Sequence, residues 1–374
     1  MKEFAAAKLV LSDGSVFRGF SFGAPRSVAG EVVFNTGMTG YPQSLTDPSY
    51  AGQILCFTYP LIGNYGVGKT TKDAFGLHSN YESNRVQAEG LVVSEYSAAH
   101  SHWDARCSLG EWLKENRVPA IFGVDTRALT IKLREKGVML GKIIVDGDEA
   151  RFEKKEFYDP NKENLVARVS RKRVERYGHG NFRVAVVDCG MKNNILRCLL
   201  ARGVRASVVP WNYDFNRLDC DGVFVSNGPG DPTQCVETIR RLKEAMKIGT
   251  PVFGICLGNQ LLALAAGART FKLKYGHRSQ NQPCVNAAGV YGERGRGFIT
   301  SQNHGYAVDS RSLPAGWREL FFNANDGTNE GVAHASKPFF SVQFHPEGSC
   351  GPRDSEFLFD EFVLAMKKKE KGGK

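Results

Sequence analysis

The sequence predicts an α/β protein of two domains: a mixed α+β N-terminal half, then a C-terminal half built on a mostly parallel sheet with helices on both faces. Three observations carry that prediction. The chain has 374 residues, enough for two domains at roughly 100–200 residues each. Its composition, 42% hydrophobic and 24% charged, is that of a globular protein, not a disordered chain, a collagen-like repeat or a coiled-coil rod. The hydrophobic patterning also changes near residue 181, from short strands and turns to a regular alternation of strand and helix.

In the first half, Lys8–Phe20 reads as two short strands around an Asp13-Gly14 turn, a hairpin signal. Glu31–Asn35 and Gln53–Tyr59 read as further strands, and segments 108–117 and 126–136 have helical spacing. These elements define a first domain over residues 1–145. Residues 146–181 are charged and irregular, with Asp159-Pro160 and Gly178-His179-Gly180, and read as a linker. Beyond them, strands are predicted at Arg183–Asp188, Ala206–Pro210, Gly222–Ser226 and Thr250–Ile255. Helices are predicted over Asn193–Gly203, near 233–247 and from Leu257, giving the βαβ rhythm of a parallel sheet. The second domain spans 182–366, and a lysine-rich tail or linker occupies 367–374. Ligands in such a sheet belong at the carboxyl ends of the strands.

The net charge of +10 raises a nucleic-acid reading, which its distribution argues against. Residues 162–176 and the tail from Lys367 each carry a net +4, leaving the remainder near neutral. Such runs read as solvated charge, with docking on an acidic partner as the lesser reading. No stretch approaches the ~20 apolar residues of a membrane span, and Met1-Lys2-Glu3-Phe4 opens no secretory signal. The nine cysteines are scattered without a C-x-x-C pair, which predicts no disulfide framework and a reducing, cytoplasmic setting. His78, His100, His102, His179, His277 and His334 show no metal-ligand spacing with cysteine or acid partners, so no metal is expected.

The sharpest motif is Gly254-Ile255-Cys256-Leu257-Gly258, between a predicted buried strand and an amphipathic helix. It has the spacing of a nucleophile elbow with sulfur in place of oxygen. A sharp strand-to-helix turn projects one side chain outward, and the flanking glycines relieve the crowding of that backbone. A helix N-terminus favours the thiolate form of Cys256, and the amide of Leu257 is placed to donate to an oxyanion. Alone, the pentapeptide fits a buried cysteine in an ordinary βα unit equally well. Gln343-Phe344-His345-Pro346-Glu347 adds an imidazole two residues before a carboxylate, after a strand. Glu347 can then fix the tautomer of His345 while the imidazole handles a thiol proton. Ser226-Asn227-Gly228-Pro229-Gly230-Asp231-Pro232 is a weaker signal, a candidate clamp and second oxyanion donor. Ser301–Tyr306 offers polar groups after a strand. Its His304 competes with His345 as a base but has no carboxylate at short spacing.

Together these motifs resemble the class I (triad) glutamine amidotransferases, and more narrowly the glutaminase small chain of carbamoyl phosphate synthetase. Gly30–Tyr41 and Leu45–Tyr50 resemble that family's dedicated first domain, which other amidotransferases lack. The form Gln-Phe-His-Pro-Glu and the lysine-rich end are closer to the fused eukaryotic enzymes. The resemblance implies a flavodoxin-like second domain. It implies Cys256 as nucleophile, His345 as base and then acid, and Glu347 as its orienting partner. It also implies glutamine contacts at Ser49, Gly228, Gly230, Leu257, Gln260, Asn303, Gly305 and Tyr306, with the amides of Gly228 and Leu257 as the oxyanion hole. The implied reaction is glutamine hydrolysis through a γ-glutamyl thioester, with no cofactor or metal on this chain. Ammonia would pass to a synthetase subunit or domain, which uses ATP and bicarbonate to make carbamoyl phosphate for pyrimidine or arginine biosynthesis. Neither nucleic acid nor membrane is an expected partner. One departure is Asn259, where the family often has His, and it predicts altered local hydrogen bonding. The rival readings are a silent structural domain of a synthetase and another γ-glutamyl cysteine hydrolase.

Overall fold

The computed structural model describes residues 4–372, and the chain divides into two compact units between Glu163 and Asn164. In the first unit the strands are β1 (Ala6–Leu11), β2 (Val16–Ser21), β3 (Val28–Asn35), β4 (Gln53–Phe57), β5 (Leu61–Ile62) and β6 (Val67–Gly68). They continue as β7 (Gly90–Val92), β8 (Glu95–Tyr96), β9 (Ala105–Cys107), β10 (Ala120–Phe122) and β11 (Met139–Val145). Seven of them close a barrel in the order β1-β11-β3-β4-β7-β10-β2. The predicted hairpin is its start: β1 and β2 pair antiparallel, with Val10 opposite Val16.

The helices of this unit are α1 (Tyr41–Thr46), α2 (Leu109–Glu115), α3 (Thr126–Lys136) and α4 (Glu149–Phe152). α2 opens with a capping box in which the Ser108 hydroxyl accepts from the Glu111 amide while Glu111 accepts from the Ser108 amide. α3 is capped by Asp125 and ends at Gly137, matching the predicted 126–136. One apolar cluster gathers Leu9, Val32, Ile54, Val92, Ile121 and Ile143 from the barrel strands. A second gathers Phe22, Tyr41, Tyr50, Leu55 and Trp112.

The second unit holds α5 (Leu165–Val169), β12 (Glu175–Tyr177), β13 (Phe182–Asp188), α6 (Asn193–Ala201), β14 (Val204–Pro210), β15 (Gly222–Val225) and α7 (Val236–Ile248). There follow β16 (Val252–Ile255), α8 (Leu257–Ala266), β17 (Thr270–Asn286), β18 (Gly297–Val308), β19 (Trp317–Asn323), β20 (Asn329–His334), β21 (Phe339–Val342) and α9 (Leu358–Gly372). One sheet runs β12-β14-β13-β15-β16-β21-β20-β19-β17-β18. Its β14-β13-β15-β16-β21 portion is parallel, and β20, β19, β17 and β18 extend it antiparallel. Every residue of β15, β16 and β21 is buried, as expected of strands covered on both faces.

Three parts of the chain differ from the sequence reading. The 146–181 segment is not a bare linker: it contains α4, α5 and β12 as well as a short 3-10 turn at Pro160–Lys162, and the division at 163/164 shares it between the units. Its buried anchors, Phe152, Leu165 and Val166, are too widely spaced among charges to show periodicity. Ser301–Tyr306 lies inside the long strand β18 instead of after a strand, because β17 and β18 form one extended ladder. Residues 367–372 of the expected tail continue α9, and 373–374 lie outside the described residues. Among the described residues no helix is long and apolar enough to cross a membrane.

Candidate active site

Register assembles the site. In the parallel ladder Val225 pairs with Gly254, Gly254 with Ser341 and Ile255 with Val342. The segments that follow the three strands, Ser226–Gly230, Cys256–Gln260 and Gln343–Glu347, therefore emerge side by side at one edge of the sheet. These are the three motif segments, and they meet at the carboxyl ends of the strands, where such sheets bind ligands.

Cys256 sits between β16 and α8 with φ 56° and ψ −103°, a backbone that a non-glycine residue adopts only when its surroundings impose it. The neighbouring glycines permit the turn. A Cβ on Gly254 would lie 2.5 Å from the Gly258 carbonyl oxygen, and one on Gly258 would lie 2.3 Å from the Val225 carbonyl oxygen. The Cys256 amide donates to the Val342 carbonyl at 2.8 Å, tying the elbow to β21. Its thiol donates to the Asn303 carbonyl oxygen at 3.6 Å, which brings β18 to Cys256. The amide of Leu257 is the first of α8 and so has no acceptor within its helix. Gly228 lies against the Leu257 side chain: a Cβ there would be 2.9 Å from Leu257 Cδ2 and 2.1 Å from the Cys189 carbonyl oxygen.

His345 and Glu347 meet as their spacing predicts. Nδ1 of His345 bonds a Glu347 carboxylate oxygen at 2.7 Å, and its backbone amide donates to the Ser301 carbonyl at 2.9 Å. Both side chains are buried. With Nδ1 committed to Glu347, Nε2 is left as the nitrogen that can exchange a proton. Burial works against charge on the imidazole, yet the Glu347 carboxylate outweighs it and raises the pKa of His345, with Cys256 acting in the same sense. Burial likewise opposes the Glu347 carboxylate, but Lys192 and His345 hold its pKa well below the ordinary value.

Lys192 is the residue that sequence reasoning missed. Its Nζ reaches Glu347 at 2.9 Å and the Gly348 carbonyl at 2.7 Å, and its side chain is only 5% exposed. It caps the start of α6, just past β13, and its amide donates to Asn227 Oδ1 at 3.1 Å. The signal that could have found it is position alone: β13 is another parallel strand whose carboxyl end faces the same edge.

The other expected residues fall in distinct places. Gln260 donates to the Tyr306 carbonyl at 2.8 Å and to Gln343 Oε1 at 3.1 Å, so it joins α8 to β18 and to the segment after β21. Asn303, Gly305 and Tyr306 lie on β18, with Gly305 beside Arg278. Gly230 has φ 84° and packs near Leu165. Ser49 belongs to the first unit, in a 3-10 turn at Pro48–Tyr50, where its amide donates to the Asp47 side chain at 2.9 Å. Asn259 is fully buried: it donates to Gln343 at 3.2 Å and accepts from Ser341 at 2.8 Å.

His304 is buried beside Glu330 and His277. The sequence offers it no carboxylate at short spacing, and the fold supplies Glu330 from β20. His277, His304 and Glu330 are the one group of three or more His, Cys, Asp or Glu among the described residues whose ligand atoms all lie within 4.8 Å of one another. Sequence spacing did not show it, because the three residues come from three different strands.

Comparison with known proteins matches each half of the chain to a family. Residues 9–143 match the family model "Carbamoyl-phosphate synthase small chain, CPSase domain", and residues 185–365 match "Glutamine amidotransferase class-I". The chain is 51% identical to "Multifunctional protein pyr-3" of Neurospora crassa, over 96% of this chain and 21% of that protein. It is 52% identical to "Multifunctional protein pyr1-3" of Dictyostelium discoideum, over 95% of this chain and 17% of that one. It is also 51% identical to the human protein named carbamoyl-phosphate synthase (ammonia), mitochondrial, over 97% of this chain and 24% of that one. The chain thus spans about a fifth of the length of these relatives. With a carbamoyl-phosphate synthase small-chain domain followed by a class I glutamine amidotransferase domain, the chain belongs to the carbamoyl-phosphate synthase small-chain family.

Proposed function

We propose that the chain hydrolyses glutamine and delivers the ammonia to a synthetase that makes carbamoyl phosphate from bicarbonate and ATP. The observation that carries this reading is a buried cysteine on a strained elbow beside a buried histidine that a carboxylate orients. In the proposed reaction the Cys256 proton is held on Nε2 of His345, and the cysteine sulfur attacks the side-chain amide carbon of glutamine. The carbonyl electron pair moves to oxygen, where the amides of Gly228 and Leu257 hold the negative charge. Collapse breaks the C–N bond, His345 protonates the leaving nitrogen, and ammonia departs from a γ-glutamyl thioester. His345 then takes a proton from water, which attacks the thioester, breaks the C–S bond and restores the thiol with release of glutamate. Glu347 holds the imidazole throughout. Ser49, Gly228, Gly230, Leu257, Gln260, Asn303, Gly305 and Tyr306 are the proposed glutamine contacts.

The reading places ATP and Mg²⁺ on the synthetase and none on this chain. The relatives named as synthases and multifunctional proteins, several times longer than this chain, support a synthetase partner. The nine cysteines are all free, which supports a reducing compartment such as the cytoplasm.

A second reading has its own observation. The human relative's name specifies ammonia, and a synthase supplied with free ammonia needs no glutaminase. That reading makes this chain a structural domain. Against it stand Cys256, His345 and Glu347, all present and mutually arranged. The deciding experiment is glutamate release from glutamine by the wild-type chain and by Cys256→Ala, each with and without a synthetase. Release that falls by at least about 10³-fold in the variant, and that rises in the wild type as the synthetase turns over, is the expected result. No release under any condition would leave the structural reading standing. Release from γ-glutamyl peptides in preference to free glutamine would favour a different hydrolase.

A further inference from the structure

Behind the glutamine-site strand lies a buried polar cluster that the chemistry does not use. His277 on β17 and His304 on β18 are register partners, and Glu330 reaches them from β20. His277 Nδ1 bonds Glu330 Oε1 at 3.3 Å, and its Nε2 bonds Asp326 Oδ2 at 2.9 Å. His304 Nε2 lies 3.7 Å from Glu330 Oε1 and 3.2 Å from Gln302 Oε1. Asn323 donates to the same Glu330 oxygen at 3.3 Å, while the other oxygen, Oε2, is buried without a hydrogen-bond partner. Glu330 itself is 0% exposed.

An ionised carboxylate costs several kcal/mol to bury unless it is paired, so a fold that keeps one off the reaction path needs a use for it. The far end of the cluster shows one. His304 Nδ1 donates to the Tyr306 carbonyl oxygen at 2.9 Å, and that oxygen also accepts from Gln260 Nε2 at 2.8 Å. Gln260 is on the first turns of α8, the helix that Cys256 begins, and the thiol of Cys256 bonds the Asn303 carbonyl. The Glu330 backbone carbonyl accepts from Gln343, at the start of the segment that carries His345. Hydrogen bonds, with the 3.7 Å contact between Glu330 and His304 as the one longer link, therefore connect Asp326 to the backbone of Asn303–Tyr306.

We propose that Glu330 and His277 are positioning residues for glutamine capture: through the ring of His304 and the Tyr306 carbonyl they hold Asn303–Tyr306 at the height that the substrate requires. His277 suits the bridging role. Burial disfavours its charge, yet Glu330 and Asp326 raise its pKa, so it can donate from both nitrogens. The inference rests on the glutamine-hydrolysis reading, and it predicts an effect on binding and none on chemistry.

The test is Glu330→Gln, with His277→Gln as the second variant should the first fail to fold. Steady-state hydrolysis is measured on the chain with its synthetase, and glutamine binding by calorimetry in the Cys256→Ala background. Expected is a rise of about ten-fold in KM and in Kd, the weight of one charge-assisted hydrogen bond, with kcat within two-fold of wild type. An unchanged KM and Kd in either folded variant overturns the proposal, as does a fall in kcat at constant KM. One equivalent of tightly bound divalent metal in the purified chain, lost in Glu330→Gln, also overturns it, because the cluster would then be a metal site. If wild type does not hydrolyse glutamine but Cys256→Ala binds it, the functional reading fails and the binding data still decide this one. If glutamine does not bind, both fail.

Discussion

Glu347 takes its two cationic partners through a single oxygen, Lys192 at 2.9 Å and His345 at 2.7 Å, in a place with no exposure to solvent. Its second oxygen is buried with no hydrogen-bond partner, so the carboxylate depends on those two contacts. Lys192→Met keeps the length of the side chain and removes the charge. The expected cost is about 3 kcal/mol, read as a lower urea midpoint at unchanged m-value, because a buried carboxylate is left with one partner instead of two. A change below about 0.5 kcal/mol would show that His345 alone suffices. The same substitution moves His345: Lys192 works against its charge, so the imidazole becomes more basic in the variant.

At the scale of the element, the strand–turn–helix of β16 and α8 is held by two glycines that no other residue can replace. Gly258→Ala would set a methyl 2.3 Å from the Val225 carbonyl oxygen, which is backbone and cannot step aside. The start of α8 must shift, and with it the amide of Leu257 and the aim of Cys256. The expected outcome is a loss of about 1–3 kcal/mol of stability together with most of the proposed glutaminase activity. Gly297→Ala is the control, since the nearest atom to its Cβ lies 4.0 Å away. Equal effects of the two substitutions, measured by thermal melting and glutamate release, would remove the close-approach argument. Asn259 belongs to this scale too. Its hydrogen bonds to Ser341 and Gln343 pin α8 to β21 and its following segment, so both ends of the buried Asn259 amide are partnered.

For the whole molecule, the buried pair sets a pH window for stability. Glu347 is held down to about 2 from an ordinary 4.5, so its contribution is present above pH 4.5 and lost as the pH falls toward 2. His345 is raised to about 10 from 6.5, so its contribution is complete below pH 6.5 and lost as the pH rises toward 10. Both contributions are intact between these limits. Thermal melting of wild type against pH is expected to fall on either side, and Glu347→Gln to flatten both flanks. A variant curve parallel to wild type would place the pH dependence elsewhere, for instance in the Asp13 carboxyl, which its hydrogen bonds to Lys132 and Ser15 lower.

By itself the sequence determined the strand-to-helix rhythm after residue 181, the first hairpin, and the candidate trio Cys256, His345 and Glu347. Each of these is written locally: a hydrophobic run bounded by turn residues, a Gly-x-Cys-x-Gly elbow, and an imidazole two residues from a carboxylate. Tertiary structure alone decided the rest. Lys192 joins Glu347 across 155 positions, because β13 and β21 end at one edge of a sheet whose strand order no local pattern reveals. Glu330 meets His277 and His304 for the same reason, from three strands that pair out of sequence order. The 146–181 segment read as a linker because its few buried anchors are spaced among charges, and only packing distinguishes an anchor from a solvated side chain. Local covalent pattern fixes what a turn or a helix start can be. Which distant charges share a buried site is set by strand register and by the cost of burying each one unpaired.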